Sequence, residues 1–175
     1  VSKRDKAFAE FAQSRGAALH RAAYLMVGDS QLAQDLVQEA LTKTYVAWPR
    51  LRDTSRAEAY TRKAITTTAI TWFRRKGWNN ERPTDVLHDR RDDGDSHAIT
   101  DRLAIWQEVQ ALPPRQRAAL VLRYYEDLTE AQTAEAMSCA IGTVKSQVSA
   151  GLRKLRERLG NDIELVSPEE AVMTR

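Results

Sequence analysis

The chain has 175 residues, 42% of them apolar, and carries 27 Lys and Arg against 24 Asp and Glu for a net charge of +3. That length allows one domain or two small ones, while the apolar runs fall far short of the ~20 residues of a membrane helix and "VSKRDKAFAEFAQSRG" lacks a secretion signal's apolar core, so a cytoplasmic protein without membrane insertion is expected. The single Cys139 excludes an internal disulfide framework, and the scattered His20, His88 and His97 offer no metal-ligand spacing, so neither metal nor other cofactor is expected.

Helical periodicity dominates, with no alternating strand and no repeat. Residues 3–15 and 17–28 read as two short helices around "SRG". A third is signalled by "GDSQLAQDLVQEALTKTYVAW": Asp29 or Ser30 can cap its first N–H groups, and Leu32, Leu36 and Ala40 form an apolar row with Ala33, Val37, Leu41 and Tyr45 beside it. Asp35, Gln38, Glu39 and Thr42 fall at i, i+3, i+4 and i+7 on the opposite side. Pro49 ends this helix, "PRLRDTSR" is a basic loop, and a fourth helix runs through "AEAYTRKAITTTAITWFRRK" to about Lys76. On it Lys63, Thr67, Thr71 and Arg74 share one strip, extended by Arg75 and Lys76, and Tyr60, Ala64, Thr68 and Trp72 share another. Tyr60, Trp72 and Phe73 suit a core better than a base-stacking role, because aromatics on a helix usually pack.

From Gly77 to about Thr100 the composition turns to Asp, Asn, Pro and Gly, which predicts a flexible linker. Helices are then predicted at about 101–112, 114–126, 129–137 and 141–159, with Pro114 favourable in a first turn and "GNDIELVSPEEAVMTR" as a frayed tail. The fold class is therefore all-α: two small helical domains joined by a flexible acidic linker. Charge follows the same division: residues 1–77 hold 14 basic and 7 acidic side chains, 78–101 hold 3 and 7, 102–160 hold 9 and 6, and 161–175 hold 1 and 4. Two basic blocks around an acidic joint favour a polyanion such as nucleic acid.

"LTEAQTAEAM" and "IGTVKSQVSAGLRKL", separated by "SCA", have the plan of a helix-turn-helix. Thr129 and Gln132 can form a capping box, and Ala131, Ala134 and Met137 supply a small or adaptable packing surface. In the second helix Val144, Val148, Leu152, Leu155 and Leu159 mark the buried face. Lys145 and Gln147 can then reach base edges or phosphates in a major groove, Ser146 and Ser149 permit close approach, and Arg153, Lys154 and Arg156 can hold phosphates. Taken alone, that stripe is more often that of an ordinary solvated helix than of a DNA reader.

The stretch "ALPPRQRAALVLRYYEDLTEAQTAEAMSCAIGTVKSQVSAGLRKLRERL" resembles region 4 of sigma-70-type initiation factors. Response-regulator helix-turn-helix domains share a similar "GTVK" core, so the first half decides: "AYLMVGDSQLAQDLVQEALTKTYVAW" followed by "YTRKAITTTAITWFRRK" resembles region 2 of extracytoplasmic-function (ECF) sigma factors, especially the SigE-like actinobacterial branch. The resemblance covers about residues 5–160. It implies region 2 at 1–77, a region-3.2-like linker at 78–100 threaded through the polymerase cleft, region 4 at 101–160 and a flexible tail at 161–175.

It also implies roles. The strip Asp35, Gln38, Glu39 and Thr42 docks on the β′ clamp helices of core RNA polymerase, and region 4 contacts the β flap. Lys63, Thr67, Thr71, Arg74 and Arg75 face the −10 promoter element. The loop Arg50, Arg52, Asp53, Thr54, Ser55 and Arg56 pockets an extruded base, whose binding offsets part of the cost of opening DNA. Thr143, Lys145, Ser146, Gln147, Ser149 and Arg153 read the −35 element. Many relatives are held by an anti-sigma factor, a further partner the resemblance brings in. The chain departs from the pattern where Thr67 and Thr71 replace Asn and Asp, where "MSCA" replaces a turn closer to "LGCS", and where Gln147 replaces a common arginine. The function implied is promoter-specific transcription initiation by a subunit that is not itself an enzyme, since no phosphate-binding Gly loop, metal cluster or nucleophile with a partner base is visible. Its rivals are a stand-alone DNA-binding regulator and a helical adaptor that binds only protein.

Overall fold

The computed structural model describes residues 2–51, 53–76, 104–161 and 163, among which there is no strand. The expected linker and nearly all of the expected tail lie outside the described residues.

The first half is a three-helix unit. Helix α1 runs Lys3–Val27 without interruption, where two helices were expected. Its ends are locally determined: Ser2 accepts from the Asp5 N–H at 3.1 Å while the Asp5 carboxylate accepts from the Ser2 N–H, and Gly28 terminates it at φ 75°. Gly16 does not break it, because one glycine costs only ~1 kcal/mol and the helix gains far more by burying Phe11, Leu19, Ala22, Ala23 and Met26. Helix α2, Ser30–Ala47, is capped by Asp29, which accepts from the Leu32 N–H at 2.8 Å. It buries Leu36 and Ala40 of the expected row and Ala33 and Val37 beside it, together with Thr44; Leu32 and Leu41 are only partly buried, and Tyr45, also expected there, is exposed. A 3-10 turn, Trp48–Arg50, places Pro49 where it needs no N–H partner. Helix α3, Thr54–Lys76, starts earlier than expected because the Asp53 carboxylate accepts from the Arg56 N–H at 2.9 Å. The Thr44 and Thr61 hydroxyls meet at 2.7 Å, so two fully buried polar side chains are satisfied between α2 and α3.

The second half comprises α4 (104–110), α5 (Pro114–Leu120), α6 (Glu130–Met137) and α7 (Ile141–Leu159). The helix expected over 114–126 instead widens after Leu120 into a π-helical turn, Val121–Tyr125, closed by the Glu126 N–H on the Val121 carbonyl. Ala118 through Leu122 are five consecutive buried residues, more than one face of a regular helix can present. They are buried from both sides: α5 packs on α7 and also on α1 and α3. A Cβ at Gly151 of α7 would come within 3.0 Å of Leu120, so glycine permits that close crossing.

The two halves touch and share a continuous apolar core. Helix α6 lies along α3. Arg117 of α5, 3% exposed, donates to the Met26 carbonyl at the end of α1 at 2.7 Å and to the Leu112 carbonyl at 3.1 Å, with its guanidinium 4.8 Å over the Phe73 ring. Gln110 donates to the Leu25 carbonyl, and Arg62 of α3 holds Glu126 at 3.1 Å.

Candidate nucleic-acid and partner interfaces

Because α2 turns its apolar row inward, Asp35, Gln38, Glu39 and Thr42 all stand exposed on one side. Gln31 donates to Asp35 at 3.1 Å, Lys43 pairs with Glu39 at 2.7 Å, and the Thr42 hydroxyl donates to the Gln38 carbonyl. These partners lie within the same helix, so the strip is free to meet another molecule.

On α3 Lys63, Arg74 and Arg75 are exposed, while Thr67 and Thr71 are half-buried. Both threonine hydroxyls donate to backbone carbonyls one turn back, Lys63 and Thr67, at 2.8 Å. Arg50, Asp53, Thr54, Ser55 and Arg56 cluster at the N-terminal end of α3 and are exposed; Arg52 lies outside the described residues. Asp53 is held by the Ser55 hydroxyl at 2.6 Å and by the Arg56 N–H, which keep its carboxyl below the ordinary range. It caps the helix that carries the strip. Of the aromatics, Trp72 and Phe73 pack against the core, whereas Tyr60 is 39% exposed beside Lys63.

In the second half, Thr129 and Gln132 form the expected capping box on α6. Ser138 closes α6 at φ 52°, and Ala140 opens α7 with no side-chain cap. Cys139 is half-buried between them, and desolvation pushes its thiol up. Val144 and Leu155 anchor α7, leaving Lys145, Ser146, Ser149 and Arg153 exposed and Thr143 and Gln147 half-buried. Ser146 donates to the Thr143 carbonyl. Lys145 lies 3.7 Å from Glu130 at the start of α6, an acidic neighbour that helical spacing on α7 alone does not bring out.

Arg62, Gln110, Arg117 and Glu126 are functional in the fold yet were not expected from the sequence. One signal was available: Arg117 stands three and four residues before Leu120 and Val121, which places it on a face that is entirely apolar. Among the described residues there is no group of His, Cys, Asp or Glu suited to a metal, and no helix long and apolar enough to cross a membrane.

Residues 11–79 match the family model for sigma-70 region 2, and residues 102–155 match that for sigma-70 region 4. The RNA polymerase sigma-E factor of Streptomyces avermitilis is 37% identical over 152 residues, covering 87% of this chain and 84% of that protein. The sigma-E factor of Streptomyces coelicolor is 36% identical, covering 87% and 85%. Among solved structures, the sigma factor RpoE of Bartonella quintana, in complex with the anti-sigma factor NepR, aligns with a TM-score of 0.68 at 23% identity, covering 90% of this chain and 99% of that one; it shows a shared fold. With both regions present in order, and relatives above 30% identity along most of its length, the chain belongs to the ECF sigma factors of the sigma-70 family, whose work is promoter-directed transcription initiation.

Proposed function

We propose that this sigma factor holds core RNA polymerase through Asp35, Gln38, Glu39 and Thr42 on α2, meets the −10 element with α3 and the turn before it, and meets the −35 element with α7. The observation that carries this reading is the two-faced character of α2. Its inner face buries Ala33, Leu36, Val37, Ala40 and Thr44 while the polar strip is exposed and bonded only within the helix, so a partner can cover the strip without disturbing the core. On α7, Val144 and Leu155 fix the helix and leave Lys145, Ser146, Ser149 and Arg153 exposed, with Lys145 beside Glu130 of α6. The protein supplies recognition and opening, and the polymerase supplies catalysis, in the cytoplasm. An anti-sigma factor is a fitting further partner, since the Bartonella relative was solved with one bound.

The test is co-elution of the purified chain with bacterial core polymerase on a sizing column. A stoichiometric complex is expected, and Asp35→Lys with Glu39→Lys should abolish it while helicity is unchanged. Failure of the wild-type chain to co-elute at micromolar concentration and moderate salt would favour a stand-alone DNA-binding regulator. Unchanged binding of the double variant would move the dock elsewhere.

A further inference from the structure

On the reading that α7 meets the −35 element, we infer that the start of this helix selects a thymine there: Ile141 packs against the C5-methyl of the base, and Gly142 lets the duplex come close enough for that contact. Ile141 is the first residue of α7 and is 45% exposed, although Val144, one turn on, is fully buried. The apolar stripe of α7 therefore outruns the core at this end, and packing gives no reason for a large β-branched side chain. A single exposed apolar residue needs no explanation by itself. Its place on the helix supplies one. At about 100° per residue, Ile141, Gly142, Lys145, Ser146, Ser149 and Arg153 fall within an arc of about 140°, and all six are exposed. Ile141 is the one large apolar side chain among them.

Gly142 has no folding reason either. Its φ is not positive, and a Cβ built on it would meet nothing within 4 Å, unlike one at Gly151, which would press on Leu120. Glycine is also the poorer helix former at such a position. What the missing side chain changes lies outside the protein: a base pair can approach the backbone beside Ile141 more closely by the width of a methyl group.

The N-terminal residues of a helix laid in the major groove are those that reach base edges. Of the four bases only thymine presents a methyl group in that groove. Contact with Ile141 removes apolar surface of both partners from water. Cytosine in the same place would turn an amino donor toward a side chain that holds no acceptor, and the donor would lose its water without replacement. Ile141 thus favours thymine and disfavours the other pyrimidine by separate effects. Lys145, with Glu130 3.7 Å from its ammonium, supplies charge to the same arc and not this discrimination.

The test uses holoenzyme assembled from core polymerase and the full chain to select duplexes from a pool randomised over the −10 and −35 intervals. The wild-type pool should be enriched in thymine at one −35 position, and the Ile141→Ala pool should lose that preference there while core-polymerase binding is unchanged. Ile141→Val, which keeps branched methyl groups, should retain it. In the selected sequence, deoxyuridine in place of that thymine removes only the methyl and should weaken wild-type binding about fourfold, while Ile141→Ala is indifferent to the exchange. Gly142→Ala should weaken binding to the same duplex about tenfold, by overpacking, yet leave the urea midpoint unchanged or higher. Absence of a thymine preference, one that survives in Ile141→Ala, or a wild type indifferent to deoxyuridine would overturn the inference and leave the α7 reading standing. A wild-type pool with no enrichment anywhere in the −35 interval would remove the α7 reading and this inference with it.

Discussion

Thr67 and Thr71 stand where the family resemblance leads one to expect Asn and Asp, and the difference is chemical as well as steric. Their hydroxyl protons are committed to the carbonyls of Lys63 and Thr67, so what they offer outward without breaking a bond is a γ-methyl and acceptor lone pairs. Such a strip suits apolar packing, the kind a thymine methyl accepts, rather than donation to a base edge. Replacing both with Val, which keeps the methyl and the branched shape, should leave −10 recognition within about twofold. Replacing both with Ser should weaken it about fourfold per residue, from ~0.8 kcal/mol for each methyl removed. Holoenzyme binding to promoter fragments checks both; a larger loss with Val than with Ser would show that the hydroxyls do the reading.

At the scale of elements, the turn between α6 and α7 carries two uncorrected local costs. Ser138 occupies the left-handed region at φ 52°, where an L-residue is strained and glycine is not, and Ala140 has the extended N-cap backbone, φ −74° and ψ 153°, but no oxygen to cap with. Ser138→Gly and Ala140→Ser should each stabilise the chain by ~1 kcal/mol, read as a rise in urea midpoint at unchanged slope. Both departures were legible in "MSCA", because caps depend on residues within one turn of each other. For the same reason α2, α6 and α7 lie where periodicity and capping place them. The elements that differ from expectation are those fixed at a distance. Gly16 looks like a break until the depth of burial along α1 is known, and the π-helical turn after Leu120 follows from α5 being enclosed by α7 on one side and α1 and α3 on the other. The exposed strips of α2 and α7 could be placed from sequence because each belongs to one helix. The bonds of Arg62, Gln110 and Arg117 could not, since they join residues 64 to 91 apart.

For the whole molecule, the basic blocks around an acidic joint suggest a factor that clings to any polyanion, yet the pairing of Lys145 with Glu130 argues for restraint. A lysine that already has a carboxylate 3.7 Å away arrives at DNA partly neutralised, and Glu130 itself repels the phosphates. Glu130→Gln should therefore tighten binding to random duplex and steepen its salt dependence by about one ion, a slope change of roughly −0.9 in log–log form. An unchanged slope would mean the pair is only a surface ornament of the turn. The consequence is one of economy in searching. A chromosome offers millions of wrong sites for every promoter, and a subunit that lingers on them is withheld from its polymerase. On the proposed role of α7, a single carboxylate beside Lys145 would shorten those visits, so that more of the factor would remain free to be recruited.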